Sequence, residues 1–210
     1  EGANLFAREK EIVFSKVELG YSGTSWKNSA NINLKVSEKG VSFPDFRLVN
    51  PPQEMSFAGI VSFSGLSQIQ LLANQLDLSL LSAYQLVDEE IHGKVNIKAS
   101  WNGTLQRPEI ESTITANSLK YGKFAWDGLD LELAYQQNQL NLFALLSNRK
   151  AEVLYINAFI DDLALTNLSD SLRKASVSLK IKSSELNLAV FSPLKRELDS
   201  LEGLLTMDVD

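Results

Sequence analysis

The residue types that most often carry out chemistry are few in this chain and widely separated. The chain has one histidine, His92, and no cysteine in its 210 residues. Carboxylates form two short runs, Asp88-Glu89-Glu90 and Asp161-Asp162, and such groups can bind calcium or act as an acid–base pair. Neither run has the Asp-x-Asp-x-Asp-Gly spacing of a calcium loop. We therefore interpret them as solvated turn residues, and His92 as a surface histidine.

No nucleophile has the sequence context that catalysis requires. Serines are frequent, but none lies in a Gly-x-Ser-x-Gly motif, and a single histidine argues against a Ser-His-Asp triad. The chain also lacks a glycine-rich phosphate loop, and without cysteine it cannot form thiolate zinc sites or disulfides. The sequence predicts a protein that is not an enzyme and has no catalytic residue, metal site or cofactor.

Composition and charge restrict the class of partner. The chain is 44% hydrophobic and 22% charged, with a net charge of −6, which is typical of a folded protein. No cluster of Lys and Arg is interleaved with aromatic residues, so we do not expect a nucleic-acid partner. No apolar run approaches the roughly 20 residues of a membrane-spanning helix. Because the chain starts at Glu1 without a leader pattern and ends within an alternating segment, we expect it to be a piece of a longer protein.

Apolar and polar residues alternate along most of the chain. This period of two predicts β-strands with one dry and one wet face. Turn residues such as Asn102-Gly103-Thr104 separate the strands and favour antiparallel neighbours. The sequence therefore predicts an all-β fold. The residues that we predict to line its apolar face are Ile32, Leu34, Val36, Phe57, Val61, Phe63, Val95, Ile97, Trp101, Leu129, Leu131, Leu133, Tyr135, Val177, Leu179 and Ile181.

An internal repeat divides the chain. The strand-like residues 76–82 align without a gap on residues 186–192, and the same offset of 110 residues (203 − 93) places Gly93 on Gly203. In each copy the segment between the strand and the glycine has the pattern of a short amphipathic helix, near residues 82–89 and 193–201. The predicted units are a β-groove segment over residues 1–75, a repeat unit over 76–185 and the truncated start of the next repeat over 186–210.

The apolar stripe is compatible with two architectures. One is the core of a closed sandwich or barrel, which side chains fill from facing sheets. The other is the inner face of an unfilled groove. Composition does not distinguish them. The repeat favours the groove, because units stacked in one direction produce an elongated sheet with a channel along it.

In this chain, residues 76–81 are followed by a short helix, by the alternating residues 91–101 and then by the motif Gly103-Thr104-Leu105-Gln106-Arg107-Pro108. This order resembles the repeat of the TamB/AsmA-like family. The resemblance covers roughly residues 55–145, and residues 175–210 as a truncated second copy. It implies a β-taco, which is an elongated antiparallel sheet folded lengthwise into a U around an apolar groove, with short amphipathic helices between repeats.

The resemblance also implies a location and a function. Such proteins lie in the periplasm, with the full-length chain anchored in the inner membrane. The implied function is to carry phospholipids between the inner and outer membranes, with acyl chains lying in the groove. The alternative is an assembly factor for outer-membrane β-barrel proteins, which would act by strand augmentation with an outer-membrane partner of the Omp85/TamA type. A structural spacer is a third hypothesis.

Overall fold

The computed structural model of the chain describes residues 9–21, 24–83, 90–104, 106–148, 151–188 and 203–209. These residues form fourteen strands and two short helices. The strands are β1 (Lys10–Phe14), β2 (Glu18–Tyr21), β3 (Thr24–Asn28), β4 (Ile32–Ser37), β5 (Gly40–Asn50), β6 (Gln53–Ser62), β7 (Ser67–Asp77), β8 (Ile91–Gly103), β9 (Pro108–Tyr121), β10 (Phe124–Gln136), β11 (Gln139–Asn148), β12 (Ala151–Asp161), β13 (Ser176–Asn187) and β14 (Leu204–Val209). The helices are α1 (Ser79–Ala83) and α2 (Leu168–Leu172), and a 3-10 turn at Leu165–Asn167 precedes α2.

All of these strands belong to one antiparallel sheet. From β4 to β14 each strand pairs with the next along the chain, while β1 pairs with β4 and the β2–β3 hairpin joins β5. This order places β1 and β14 at the two ends of the sheet. The predicted all-β fold class is confirmed, since a single long open sheet with two short helices is consistent with a taco-like fold. Within the described ranges, no helix is long and apolar enough to cross a membrane.

β-Bulges interrupt several strands. Gln75 in β7, Ser118 in β9 and Glu185 in β13 each have a φ of 53°, and the pairing register shifts beside each of them. A bulge adds one residue to its strand, so two successive apolar residues are separated by three positions instead of two, as Ala73 and Leu76 are. The apolar side chains therefore stay on the same face beyond the bulge. A bulged strand also bends, which curves the sheet.

The bulges in β7 and β13 have the same hydrogen-bonding pattern, 110 residues apart. The Gln75 N–H donates to Asn96 Oδ1 at 2.9 Å. The Glu185 N–H donates to Thr206 Oγ1 at 3.3 Å. Two backbone hydrogen bonds repeat at the same offset, from Leu78 N–H to Gly93 O (3.0 Å) and from Leu188 N–H to Gly203 O (2.9 Å). The described residues 75–78 and 185–188 thus share a hydrogen-bonding pattern, while the boundaries of the repeat units stay a prediction.

The segment after β7 differs from its prediction. Residues 76–82 have the pattern of a strand, but β7 ends at Asp77 and α1 begins at Ser79. The reason is a local cap: Asp77 Oδ1 accepts hydrogen bonds from the N–H and the hydroxyl of Ser79, at 3.0 and 2.7 Å. An aspartate that bonds to the backbone two residues later turns the chain out of the strand.

The two helices predicted from the repeat lie largely outside the described residues. Residues 84–89 contain most of the first, and residues 189–202 contain the whole of the second. α2 lies in the connection between β12 and β13, where the sequence pattern indicated no helix. There the Ser171 hydroxyl donates to the carbonyl of Ala164 at 3.1 Å and closes the turn.

Gly59 in β6 provides a test of the close strand packing. Its φ is 144°, and a Cβ on it would overlap the carbonyl oxygen of Gln68 in β7. Gly59→Ala should therefore lower the free energy of unfolding by about 1–3 kcal/mol, measured by urea denaturation. Gly20→Ala is the control, since its nearest atom is Thr24 O at 3.9 Å. Equal losses of unfolding free energy in Gly59→Ala and Gly20→Ala would contradict the close approach of β6 and β7 at Gly59.

Asp77 gives the fold a pH dependence. Its Oδ2 lies 2.6 Å from Lys94 Nζ. Partial burial raises the pKa of Asp77, but hydrogen bonds from Lys94 and Ser79 outweigh this effect and lower the pKa from 3.8 to about 2. A lowered carboxyl pKa contributes stability that is present above pH 3.8 and is lost as the pH falls towards 2.

Asp77→Asn should therefore lose less stability than the unmodified protein when the pH falls through this window. Urea unfolding at several pH values between about 4 and 2 measures the difference. Asp45→Asn is a control, because Asp45 lies 4.0 Å from Arg47 in an exposed pair. Asp77 is not the source of this pH dependence if the unfolding free energies of Asp77→Asn and of the unmodified protein change in parallel with pH.

Candidate functional site: the apolar face of the sheet

One continuous row of apolar side chains runs along the sheet. Cross-strand partners project to the same face, so the register identifies the row. We call the face that carries Leu131 the inner face and the face that carries Glu132 the outer face. The central row of the inner face has one residue from each of ten strands, β5 to β14: Leu48, Met55, Ala73, Ile97, Ile114, Leu131, Ala144, Ile156, Ile181 and Val209.

Three further rows lie on the inner face, two or four residues along each strand from the central row, or one residue further where a bulge intervenes. None of their members is charged. The first comprises Phe46, Phe57, Leu71, Ala99, Ser112, Leu133, Leu142, Ala158 and Leu179. The second comprises Phe43, Gly59, Ile69, Trp101, Ile110, Tyr135, Leu140, Ile160 and Val177. The third comprises Leu76, Val95, Ala116, Leu129, Leu146, Leu154, Ser183 and Met207.

The row of the outer face that contains Glu132 is mainly polar. It comprises Arg47, Ser56, Leu72, Lys98, Thr113, Glu132, Phe143, Asn157 and Lys180. The alternation predicted from the sequence therefore produces two chemically different faces.

The two faces are covered to different degrees, as alanines on them demonstrate. Ala116 and Ala158 on the inner face are 3% and 8% exposed, whereas Ala134 on the outer face is exposed. Leu48, Phe43 and Tyr135 on the inner face are buried, but other large inner side chains are only partly covered, among them Leu131 and Leu133, which are neither buried nor fully exposed. A filled core would enclose such leucines completely. The inner face is therefore a sheltered apolar surface, which favours the groove over the closed core.

Most of the predicted lining residues belong to these rows. Phe57, Val95, Ile97, Trp101, Leu129, Leu131, Leu133, Tyr135, Val177, Leu179 and Ile181 are members of the four rows. Val36 and Val61 both pair with Val41, which lies two residues before Phe43 on the inner face. Ile32 and Leu34 alternate with Val36 along β4 and so share its face.

Phe63 is an exception among the predicted lining residues. β6 ends at Ser62, whose N–H donates to Ser67 Oγ at 3.0 Å. Ser62 Oγ in turn accepts from the N–H of Gly65 at 2.8 Å. These serine hydrogen bonds form a turn, and Phe63 lies in it with 59% of its surface exposed. The strand alternation therefore does not extend to Phe63.

Sequence reasoning missed much of β11 and β12. Leu142, Ala144, Ile156 and Ala158 complete the inner rows opposite Leu131 and Leu133. The almost continuous apolar run in β11 hid their alternation. The same run places apolar residues on the outer face as well, where the rings of Phe143 and Tyr155 meet edge to face at 5.6 Å. The cross-strand partners of this run, rather than its own pattern, assign its residues to a face.

The polar side-chain groups within the inner rows are those of Ser112, Tyr135, Ser183 and Trp101. The hydroxyl of Ser183 donates to Leu205 O at 3.1 Å, so its burial is compensated. Trp101 Nε1 is buried and has no hydrogen-bond partner among the described residues. A buried donor without a partner costs about 1–3 kcal/mol. The apolar character of the rows therefore extends to the atoms around Trp101.

Asp88 and Glu89 lie outside the described residues, and the other candidate chemical residues do not assemble into a centre. His92 Nε2 lies 3.6 Å from Glu90 Oε2, and both side chains are largely exposed. Asp161 Oδ1 accepts from Gln139 Nε2 at 3.2 Å, at the exposed end of β12. In the part of the chain that the structure describes, no group of three His, Asp or Glu residues could hold a metal ion. The arrangement on the inner face can bind an apolar ligand by shielding it from water.

Comparisons of the chain with protein-family models, with curated proteins and with solved structures find no match. The functional interpretation therefore depends on the residues and the geometry of the inner face.

The absence of cysteine allows a direct test of the two faces. Leu131→Cys and Glu132→Cys can each be labelled with a polarity-sensitive fluorophore. Position 131 lies between Ile114 and Ala144, so its probe should have blue-shifted emission. The probe at position 132, on the exposed face, should have the emission it has in water. Similar emission maxima at the two positions would contradict the assignment of the faces.

Proposed function

We propose that the inner face carries the acyl chains of phospholipids between the inner and outer membranes, as one segment of a periplasmic groove. The observation that carries this proposal is the central row, which is apolar on ten consecutive strands. The benefit is physical: each methylene that the groove shields from water lowers the free energy by about 0.8 kcal/mol. No covalent chemistry is required.

The dimensions of the row suit an acyl chain that moves. Strands lie about 4.8 Å apart, so the nine intervals from β5 to β14 span about 43 Å. One leaflet of a bilayer core is roughly 15 Å thick, so the row is longer than one acyl chain. Because successive strands contribute similar apolar residues, a chain exchanges equivalent contacts as it slides. Such a surface has no single strongly preferred position, which transport needs.

The exposure of the inner face supports access by lipid. Leu179 and Val177 in β13 are 40% and 56% exposed, so an acyl chain can reach them without unfolding the sheet. Charged residues on the outer face, such as Lys98 and Glu132, keep that face in water. The lipid headgroup then stays at the boundary between the two faces. The periplasm, with a membrane anchor elsewhere in a longer chain, is the location that this function requires.

A second candidate function is assembly of outer-membrane β-barrels by strand augmentation. It is favoured by exposed apolar residues at both ends of the sheet, namely Val13 in β1 and Leu204 and Val209 in β14, at 52%, 66% and 51%. End strands offer backbone groups to which a client strand or a barrel partner can bind. This function uses the edges and does not require the uncharged central row.

A pair of adjacent substitutions in the full-length protein tests lipid transport. Leu131→Arg places a charge among acyl chains that cannot solvate it, at a cost of several kcal/mol. Lipid transfer between membranes should fall by at least about tenfold, since 1.4 kcal/mol corresponds to a factor of ten. Glu132→Arg places the same side chain on the outer face and should leave transfer nearly unchanged.

A photo-crosslinker at position 131 should also capture phospholipid in cells, and one at position 132 should capture much less. Two results would remove the transport function: equal capture at both positions, or normal outer-membrane integrity in cells with stably expressed Leu131→Arg protein. Strand augmentation would then be the better hypothesis, because neither substitution lies in β1 or β14.

A further inference from the structure

A cavity of about 350 Å³ opens at one side of the sheet, where the β8–β9 and β10–β11 turns lie next to each other. Its walls combine two apolar residues with charged and amide side chains. The lining residues are Arg107, Pro108, Glu109, Tyr135, Gln137 and Asn138. A volume of this size accommodates a small polar molecule or the polar part of a larger one.

The motif that follows Trp101 builds one wall of the cavity. Gly103 has a φ of 100° and pairs with Pro108, and a Cβ on it would overlap the carbonyl oxygen of Arg107. The Arg107 N–H donates to the carbonyl and the hydroxyl of Thr104, at 3.2 and 3.1 Å. The Gly-Thr-x-x-Arg-Pro turn therefore holds the backbone of Arg107 at the cavity.

The other wall is the tight turn between β10 and β11. Gln137 and Asn138 both have positive φ, at 52° and 64°, the geometry of a two-residue hairpin turn. The buried Tyr135 fixes this turn, since its hydroxyl lies 3.2 Å from Asn138 Oδ1 and donates to Leu163 O at 2.9 Å. Both walls are thus held by hydrogen bonds before any ligand binds.

The described residues of the lining include one cation, Arg107, and one anion, Glu109. Among the described residues, Arg107 makes no ion pair. Glu109 Oε1 accepts a hydrogen bond of 3.4 Å from Gln136 Nε2. Two opposite charges that line one cavity without pairing suit a ligand that carries both signs a short distance apart.

The cavity is continuous with the inner face. Tyr135 pairs with Ile110, and Ile110 pairs with Trp101, so a row of the inner face leads to the cavity wall. Pro108 alternates with Ile110 along β9 and lies on the same face, whereas Glu109 between them projects to the outer face, as does its partner Gln136. The cavity therefore lies at the rim of the sheet, where the two faces meet. A ligand that fits both regions has a charged head and an apolar tail.

We propose that this cavity binds the headgroup of a zwitterionic phospholipid that has a phosphate and a primary ammonium group. The inference rests on the proposed function, because it needs acyl chains on the inner face. Arg107 binds the phosphate, for which a guanidinium offers two parallel N–H donors. Glu109 binds the ammonium group, with Asn138 as a second acceptor. A quaternary ammonium group would instead need an aromatic cage, and Tyr135 is the only aromatic residue among the described residues of the lining.

The experiment uses the purified protein and an equimolar mixture of four lipids with identical acyl chains: phosphatidylethanolamine, phosphatidylcholine, phosphatidylglycerol and diacylglycerol. Native mass spectrometry measures which lipid the protein retains. We expect phosphatidylethanolamine to exceed each of the others by about tenfold, which corresponds to 1.4 kcal/mol. Diacylglycerol reports on the acyl groove alone.

Two substitutions separate the two charges. Arg107→Gln should lower retention of all three phospholipids to the level of diacylglycerol. Glu109→Gln should lower retention of phosphatidylethanolamine and leave phosphatidylglycerol unchanged or raised. Arg173→Gln and Glu111→Gln are matched controls, because both residues are exposed and neither lines the cavity. Both controls should retain the lipids as the unmodified protein does.

The outcomes distinguish the headgroup site from the groove. Retention of all four lipids without preference, or a preference that survives both Arg107→Gln and Glu109→Gln, overturns the headgroup site and leaves the acyl groove in place. A preference for phosphatidylcholine also overturns it. If the unmodified protein retains no lipid, diacylglycerol included, the proposed function fails together with the site.

Discussion

The cross-strand register is the constraint on which the rest of this structure depends. The described strands form one sheet, so hydrophobic stabilisation requires every strand to present its apolar residues to the same side. Leu131, Ile114 and Ala144 meet across β9, β10 and β11 because their registers agree. A slip of one residue in β10 would place Glu132 on the inner face and expose Leu131. The register thus determines both the stability of the sheet and the composition of the groove.

Bulges and local hydrogen bonds maintain this register while the strands bend. The extra residue at Gln75 would reverse the faces of β7 if the apolar spacing did not change from two to three at the same point. The side chain of Asn96 accepts the N–H that the bulge leaves without a strand partner. The same device occurs at Glu185 and Thr206. A repeated sheet can therefore extend in one direction with the same curvature and the same dry face.

The groove and the cavity have different physical requirements. Sliding of an acyl chain needs many similar apolar contacts, which the four inner rows provide, and it tolerates variation of individual side chains. Recognition of a headgroup needs a few charges in defined places, so it depends on turns that hydrogen bonds hold, such as those of Arg107 and Asn138. One sheet can have both properties because strands form its faces and turns form its sides.

The period of two in the sequence predicts most of the strands, and it predicts the chemistry of their two faces wherever the alternation is uninterrupted, as around Leu131. It did not determine the ends of strands, where side-chain hydrogen bonds compete with the ladder. Asp77 caps α1 inside an apparent strand, and Ser62 turns the chain before Phe63. It also could not assign a face to the apolar run in β11. These points depend on the folded chain, which also brings Arg107 and Asn138 to one cavity, because pairing between strands involves residues that are distant in the sequence.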